Sequence, residues 1–360
     1  MSGWNIYRRK DGRLEGRVPL EKDAAGKRRY RAFFGYSKED LIGKMMAFRQ
    51  SLMAKEPLHV TFSEFFQEWY GAINQRVKES TAANYWMKGQ KHLLPFFGEM
   101  RISGIESNDI YGFIECKRRE GLSERYIADN LTLLKAVFKY AVRRHHIPNP
   151  MDDVVFKRSR SASILVFDAE QKRQLTQYLA KDCDKTALGI RICLATGLRI
   201  GELCALRWED VDLEKRILTV RHTVQRIQTH QLQQRTKLIM TEPKSESSYR
   251  CIPIPDALAT LLRKHCGAPQ EFVLSGTKRP VEPRVMQYRF SKILKNAKLP
   301  SIHFHALRHM FASDCIRLGC DMKSLSEMLG HSGVEITMNL YVHSSFEQKR
   351  QFMERLSLNF

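Results

Sequence analysis

The sequence predicts a multidomain α+β protein in three parts. These are a small three-stranded sheet with one helix, an all-helical domain, and a mixed, mainly helical domain with a small antiparallel sheet. Three observations lead to this fold class. The 360 residues are enough for two or three hydrophobic cores. The apolar periodicity changes along the chain from alternating to helical to mixed. A polar, basic stretch, "FKRSRSAS" at 156–163, has few apolar anchors and is typical of a linker.

The N-terminal module, predicted at residues 1–55, begins with three short antiparallel strands. Alternating and aromatic segments up to residue 36 are separated by the turn signals "KDG" and "AAGK". "SKED" then gives a capping box from Ser37 to Asp40 at the start of a helix. The apolar stripe of that helix is Leu41, Met45, Phe48 and Leu52. We therefore expect a small meander backed by one helix.

The second domain, predicted at 56–155, keeps helical apolar spacing throughout. Thr61 and Glu64 form another capping box, and Gly98, Gly121 and "IPNP" at 147–150 mark helix ends. Many lysines and arginines are expected on the polar sides of these helices. Such a bundle can clasp a DNA duplex through its phosphates, although the same residues could form an ordinary exposed surface.

The C-terminal domain, predicted at 164–360, mixes helices with short strands. "DAEQKRQL" starts a helix at Asp168, and "KTALGIRICLATG" is a buried helix that ends at Gly197. "RILTVRHTV" and "YRCIPI" alternate as strands do. Helices dominate from about residue 282 onward, as their 3.6-residue periodicity indicates.

The charge balance predicts a nucleic-acid partner. A formal net charge of +21 and a pI near 9.7 concentrate polyanions around the molecule. A merely soluble basic surface is the alternative. A membrane surface is disfavoured because the basic residues are spread along the chain rather than gathered on one amphipathic helix. The first residues lack the apolar core of a signal peptide, so we expect a cytoplasmic, DNA-associated protein.

The eight cysteines include no C-x-x-C pair, so neither a zinc site nor a disulfide framework is indicated. We interpret them as small apolar packing residues in a reducing compartment.

The stretch "HALRHMFASDCIRLGC", 305–320, crowds nitrogen-bearing side chains on the first turn of a helix. His305, Arg308 and His309 are spaced i, i+3, i+4 and therefore share a face. We expect this face to point away from the core, at a helix N-terminus that favours an anion. The core-facing stripe is predicted to be Leu307, Phe311, Cys315 and Leu318, with Gly319 ending the helix. The arrangement predicts a phosphate site.

Other chemically active residues follow turn signals in the same domain. Arg199 comes just after a helix-ending glycine, and Lys244 lies in a polar turn between strand-like runs. His331 follows a small-residue turn, and Tyr341 lies on the next helical stretch. Two guanidinium groups can bind the oxygens of a phosphodiester while a tyrosine attacks and histidine and lysine transfer protons. The set needs no metal or other cofactor.

In this order, R…K…H-x-x-R…H…Y, the sequence resembles the tyrosine recombinases over roughly its last 200 residues, with "TGLRIGEL", "HALRH", "LGH" and "YVH" as the matching motifs. The resemblance implies that Arg199 and Arg308 hold the scissile phosphate and that Tyr341 is the nucleophile. It implies that Lys244 protonates the leaving oxygen, His305 is the acid/base partner of the nucleophile, and His331 donates to the phosphate. Glu202 and His309 would support the site.

Several alternatives remain open at these positions. Lys237 is a rival for the catalytic lysine, and Tyr249 and Tyr288 also follow Lys244. His305 and His309 have the spacing of a zinc pair, but no H-E-x-x-H glutamate lies between them. A two-metal nuclease built on Glu202, Asp210 and Asp212, which cluster in "ELCALRWEDVD", is a further alternative. We interpret those carboxylates as local structure.

The resemblance extends upstream. The N-terminal module, with "RRKDGRLEGRV" and "GKRRYRAFFG", is similar to the arm-site binding domain of conjugative-transposon and phage integrases, and the helical segment is similar to their core-binding domain. The implied partners are double-stranded DNA with arm-type and core-type attachment sites, a homotetramer on DNA, and an excisionase or DNA-bending accessory protein. The candidate DNA-contacting residues are Arg8, Arg9, Lys10, Arg17, Arg29, Arg31, Lys88 and Lys91.

The predicted function is therefore a site-specific DNA recombinase that integrates and excises a mobile element through a 3′-phosphotyrosine intermediate. A non-catalytic DNA-binding factor and a type IB topoisomerase are the alternatives. The tail "FEQKRQFMERLSLNF" carries an apolar stripe that could pack either on a neighbouring subunit or on the same chain.

Overall fold

The protein is described here from a computed structural model. The chain divides into two compact units, Met1–Arg160 and Ser161–Phe360, and the division falls within the 156–163 segment. The described residues are 6–9, 11–22, 28–53, 60–157, 166–181, 184–229, 236–242, 248–341, 350 and 353–354. The apolar stripe expected in the tail, which is Phe346, Phe352, Leu356 and Phe360, lies outside them. Among the described helices, none combines the length and apolar character that a membrane crossing requires.

The N-terminal module has the predicted meander and helix. Strands β1 (Ile6–Arg8), β2 (Leu14–Lys22) and β3 (Arg28–Gly35) form one antiparallel sheet, and helix α1 (Lys38–Met53) packs on it. Ser37 Oγ accepts a hydrogen bond from the Asp40 backbone N–H at 3.1 Å, which caps the helix as expected. Val18, Leu41 and Met45 are the buried centre of this small core.

The rest of the first unit is helical. The predicted capping box is present at the start of the first of these helices: Glu64 N–H donates to Thr61 Oγ1, and Thr61 N–H donates to the Glu64 carboxylate. Buried aromatic and branched residues from all the longer helices form one core. The helices are α2 (Phe62–Asn74), α3 (Glu79–Lys88), a π-helical turn (Gly89–Leu93), α4 (Leu94–Phe97), α5 (Ser107–Arg119) and α6 (Glu124–His145).

The second unit surrounds a buried central helix with further helices and short strands. Its elements are α7 (Ala169–Lys181), α8 (Lys185–Thr196), α9 (Ile200–Ala205), β4 (Val211–Asp212), β5 (Ile217–Val220), β6 (Thr223–Gln228), β7 (Thr236–Thr241), β8 (Arg250–Pro253), α10 (Asp256–Arg263), α11 (Pro283–Asn296), α12 (Ala306–Arg317), α13 (Met322–Leu329) and α14 (Val334–Tyr341). Helix α8 is the central one, and it ends at Gly197, whose φ of +66° is the left-handed conformation that glycine adopts readily.

The strand-like stretch "RILTVRHTV" is split between two sheets. Its first half is β5, which pairs with β4 and β8, and its second half is β6, which pairs with β7. The break falls at Arg221 and His222, which belong to neither strand. The described part of this unit therefore has two small antiparallel sheets where the sequence predicted one.

Candidate active site

Helix α12 buries part of the face that was expected to point outward. Leu307 and Phe311 are buried as predicted, but Arg308 is only 2% exposed and His309 only 5%. At the other end, Leu318 is 79% exposed, so its place in the apolar stripe was predicted wrongly. Gly319 follows the helix with φ +84°, as the C-terminal cap requires.

Arg308 is buried because carbonyl groups replace its water. Its guanidinium donates to Gly197 O at 2.9 Å and to Leu329 O at 2.7 Å. Both carbonyls lie at the C-terminal ends of helices, α8 and α13, where the helix dipole favours a cation. These partners are far away in sequence, so a local periodicity argument could not include them.

Arg199 is positioned at the N-terminus of α9, directly after the turn that Gly197 begins. Its Nη1 donates to Glu202 Oε1 at 2.8 Å and its Nη2 to Gly330 O at 3.0 Å. Its backbone N–H also donates to Glu202 Oε2 at 3.0 Å. These bonds fix Arg199 in place. Because 37% of its side chain is exposed, it is also accessible to a ligand.

Glu202 has a second arginine partner that sequence reasoning missed. Arg250, the first residue of β8, donates from Nη2 and Nη1 to the two carboxylate oxygens of Glu202 at 2.8 and 3.2 Å. Burial favours protonation of Glu202, but the hydrogen bonds and charge of Arg250, together with the charge of Arg199, outweigh it and lower the pKa. The signal that could have revealed Arg250 is the arginine in the strand-like stretch "YRCIPI", six residues after Lys244.

The end of α13 brings the three arginines together. The last three carbonyl groups before His331 each accept a hydrogen bond from a different arginine. The pairs are Arg250 Nε with Met328 O at 2.6 Å, Arg308 Nη2 with Leu329 O at 2.7 Å, and Arg199 Nη2 with Gly330 O at 3.0 Å. We call this group the α13 arginine clamp.

His331 leaves α13 in a fixed direction. Gly330 has φ +64°, and the His331 backbone N–H donates back to Ser326 O at 3.1 Å, which closes the helix end. The ring Nδ1 lies 2.8 Å from Oγ1 of the buried Thr337 on α14. Burial, and then the positive charges of the three arginines, lower the pKa of His331 to about 4, so the ring is neutral at pH 7.

His305 lies against His309 at the start of α12, with the ring centroids 4.8 Å apart in an edge-to-face arrangement. His305 is exposed at the surface, yet the protein packed around its ring disfavours the charged form. This desolvation, followed by the charges of His309, Arg308 and Arg199, lowers the pKa to about 4. The pKa of the buried His309 is also lowered, by burial and by Arg308. His305 is thus a neutral base at pH 7.

The remaining predicted catalytic positions are less fully described. Tyr341 is the last residue of α14, and its side chain lies outside the described residues. Lys244 lies outside them altogether. Its rival Lys237 is on β7, opposite Ile227 of β6, and is partly buried.

The carboxylates that suggested a two-metal nuclease each have separate partners. Glu202 binds arginines, the Asp210 carboxylate lies 3.4 Å from Arg221 and accepts from Arg207 N–H, and Asp212 accepts from two backbone N–H groups of its own turn. In the described part of the chain, no three histidine, cysteine or acidic side chains are grouped as metal ligands would be.

In the N-terminal module, one face of the sheet is turned away from α1. Tyr7, Glu15 and Phe34 lie side by side across the three strands, and Arg17 follows on β2. Tyr7 and Phe34 are exposed. Arg9 and Arg17 donate to the two oxygens of Glu15 at 2.8 and 2.9 Å. The module therefore presents arginine and aromatic side chains on one solvent-facing surface.

The other DNA-contact candidates have different surroundings. Arg8 and Lys91 are exposed. The Arg31 guanidinium lies over the Phe48 ring of α1 at 4.4 Å, so it covers the edge of the small core. Lys10 and the side chain of Arg29 lie outside the described residues.

The expectation that Lys88 faces solvent is wrong. Only 9% of the residue is exposed, and its ammonium group lies 3.7 Å from Asp129 and over the Tyr126 ring. The aliphatic part of the lysine fills the bundle while the carboxylate neutralises its charge.

Comparison with known proteins identifies the family of the chain. Residues 165–348 match the phage integrase family, and residues 61–116 match the phage integrase N-terminal SAM-like domain. The chain belongs to the phage integrase family. The prediction of a tyrosine recombinase of the integrase type is confirmed.

Individual relatives cover most of the chain. A tyrosine recombinase XerC-like protein of Caldanaerobacter subterraneus subsp. tengcongensis is 26% identical over 372 residues, 94% of both chains. The ICEBs1 integrase of Bacillus subtilis is 24% identical over 74% of both chains.

Among solved structures, the Tn1549 transposon integrase in complex with transposon right end DNA gives a TM-score of 0.69 at 25% identity, over 83% of this chain and 100% of that chain. A lambda integrase tetramer bound to a Holliday junction gives 0.59 at 19% identity, over 91% and 96%, and shares the fold.

Proposed function

We propose that this tyrosine recombinase cleaves and rejoins DNA through Tyr341, with Arg199, Arg308, His305 and His331 around the reacting phosphate. One observation carries the proposal: both arginines and both histidines meet at the end of α13. Among the described residues, positive charge is concentrated there, where it can stabilise the charge that develops in phosphoryl transfer.

The first step transfers a phosphoryl group from one oxygen to another. The Tyr341 oxygen attacks phosphorus, and the bond from phosphorus to the 5′-oxygen breaks. Neutral His305 accepts the phenolic proton, and Lys244 supplies a proton to the leaving 5′-oxygen. One phosphodiester bond is exchanged for another of similar energy, so resealing to a partner strand needs no nucleotide hydrolysis.

The phosphate oxygens would be held by groups of two kinds. Arg199, which is partly exposed, offers guanidinium N–H groups beside those it uses on Glu202 and Gly330. The low pKa of His331 keeps its ring neutral. In the tautomer in which the Thr337 hydroxyl donates to Nδ1, His331 can donate from Nε2.

The parts upstream would provide DNA binding. We assign the outer face of the N-terminal sheet, with Arg9 and Arg17, to arm-type sites and the helical domain, with Lys91 on its surface, to core-type sites. Lys88 is left out because it is buried. Assembly as a homotetramer on DNA, an excisionase or DNA-bending accessory protein, and a cytoplasmic location belong to the same proposal. The lambda integrase tetramer on a Holliday junction supports the first of these by analogy.

The test is trapping on nicked duplexes tiled across the DNA that flanks the coding sequence. Wild-type protein is expected to form a covalent adduct that resists denaturant, and Tyr341→Phe is expected to form none. Tyr288→Phe, which alters an exposed rival tyrosine, is the matched control and should still form the adduct. An adduct that persists in Tyr341→Phe would refute the nucleophile.

The trapping assay and a DNA relaxation assay separate the other candidate functions. A DNA-binding factor without catalysis would bind the duplexes and give no adduct. A type IB topoisomerase would relax supercoiled DNA without sequence preference.

A further inference from the structure

We propose that Arg250 is a positioning residue for the recombination reaction, which orients Arg199 by binding the carboxylate of Glu202. The inference rests on the proposed function, in which Arg199 holds the scissile phosphate. Arg250 was in no set of catalytic candidates drawn from the sequence.

The contacts of Arg250 commit its guanidinium to the protein. Its side chain is only 5% exposed, and four of the five N–H groups of its guanidinium donate within the protein, to Met328 O, Ser248 O and both oxygens of Glu202. Most of its donor capacity is therefore used inside the protein. Arg199 differs, since its side chain is 37% exposed.

The carboxylate of Glu202 connects Arg250 to Arg199 by hydrogen bonds. Each oxygen of Glu202 accepts one hydrogen bond from Arg250 and one from Arg199: Oε1 binds both Nη1 groups, and Oε2 binds Arg250 Nη2 and the Arg199 backbone N–H. The paired N–H groups of Arg250 fix the plane of the carboxylate. That plane sets the direction from which Arg199 Nη1 is held.

Arg250 also keeps Glu202 ionised in a buried place. The charged or titratable groups that act on this carboxylate are Arg199 at the start of its own helix, Arg250 on β8, Cys193 on α8 and His305 before α12. Arg250 makes the largest favourable contribution. Without it, burial would raise the pKa of Glu202, and a protonated carboxyl group would orient Arg199 poorly.

The experiment is single-turnover cleavage of the trapped duplex at saturating protein, measured across pH. Arg250→Gln is expected to slow cleavage by about 100-fold, as a misplacement of about 1 Å in an active site can. The acidic limb of its pH–rate profile should move to higher pH, because Glu202 has lost a partner that keeps it ionised. Arg250→Lys retains the charge, so its acidic limb should stay closer to that of the wild type.

The matched control is Arg226→Gln, which breaks another paired Arg–Glu contact, between β6 and Glu282, outside the α13 arginine clamp. It should leave the acidic limb in place. A folded Arg250→Gln protein with the rate and pH profile of the wild type would overturn the inference. If wild-type protein forms no adduct at all, the proposed function fails instead.

A double variant keeps the test decisive if Arg250→Gln does not fold. Glu202→Gln with Arg250→Gln removes both buried charges together. If Arg250 acts through Glu202, the double variant should cleave within about threefold of Glu202→Gln alone, because residues that act as a unit are not additive. A double variant that cleaves much more slowly than Glu202→Gln would contradict the inference that Arg250 acts through Glu202.

Discussion

Among the residues that the structure describes, a glutamate binds two arginines in each unit, and the two Arg–Glu–Arg groups differ in burial. In the N-terminal sheet, Glu15 binds Arg9 and Arg17, whose side chains are 46% and 58% exposed. In the C-terminal unit, Glu202 binds Arg199 and Arg250, and the latter is 5% exposed.

The difference indicates that one glutamate and two arginines can serve different purposes. Solvent competes for the exposed arginines, so the sheet group contributes little to stability and remains available to a ligand. The buried group has no water to replace its hydrogen bonds, so removal of one partner leaves a charge uncompensated. Burial, rather than residue type, therefore separates the surface that we propose binds DNA from the group that we propose positions Arg199.

The largest expected effect comes from neutralising the two central carboxylates separately. Glu202→Gln leaves Arg250 buried without a counter-charge, and we expect a loss of about 3–5 kcal/mol in the free energy of unfolding. Glu15→Gln should change the thermal midpoint much less. Thermal unfolding of the full chain, with amide hydrogen exchange to assign the change to β8 and α13 peptides, checks this. Equal effects of the two variants would break the comparison.

An intermediate effect should come from acid. His305 and His331 have pKa values near 4 in the fold, below the unfolded value of about 6.5. The unfolded state therefore binds more protons between these values, and the C-terminal unit should lose stability as pH falls from about 6.5 to 4.

This dependence is measured by urea unfolding at several pH values. His331→Gln should weaken it, whereas His303→Gln, which replaces an exposed histidine nearby, should leave it as in the wild type. If the stability of the wild type does not change with pH in this range, burial and the α13 arginine clamp do not disfavour charged histidines.

The smallest expected effect concerns two lysines of the helical domain that differ in the same way. Lys91 is exposed and Lys88 is buried against Asp129. If Lys91 contacts a DNA phosphate, Lys91→Ala should reduce the slope of log affinity against log salt by about 1. Lys88→Ala should leave that slope unchanged and lower thermal stability instead. Titrations of core-type DNA at several salt concentrations decide the matter.

Local patterns predicted most of the elements, because caps and periodicity depend on neighbours in sequence. The meander, the capping box at Thr61 and the end of α8 at Gly197 follow from such signals. The burial of Arg308 and Lys88 could not be predicted this way. Arg308 depends on a carbonyl 111 residues away, and Lys88 on Asp129 in another helix.

The order and spacing of the sequence motifs indicated which residue types form the candidate site, but not which contacts hold them. Arg250 has no motif of its own, and its importance comes from contacts with Glu202 and Met328, which are distant in sequence. Such a residue is recognised only when the chain has folded.

The end of α13 would by itself repel DNA, since a helix C-terminus exposes the negative ends of its peptide dipoles. The arginines that cover its last carbonyls reverse the local sign and turn a repulsive surface into an attractive one. Deleting any one of them therefore acts twice: a cation is lost, and a carbonyl oxygen at the end of α13 loses its donor.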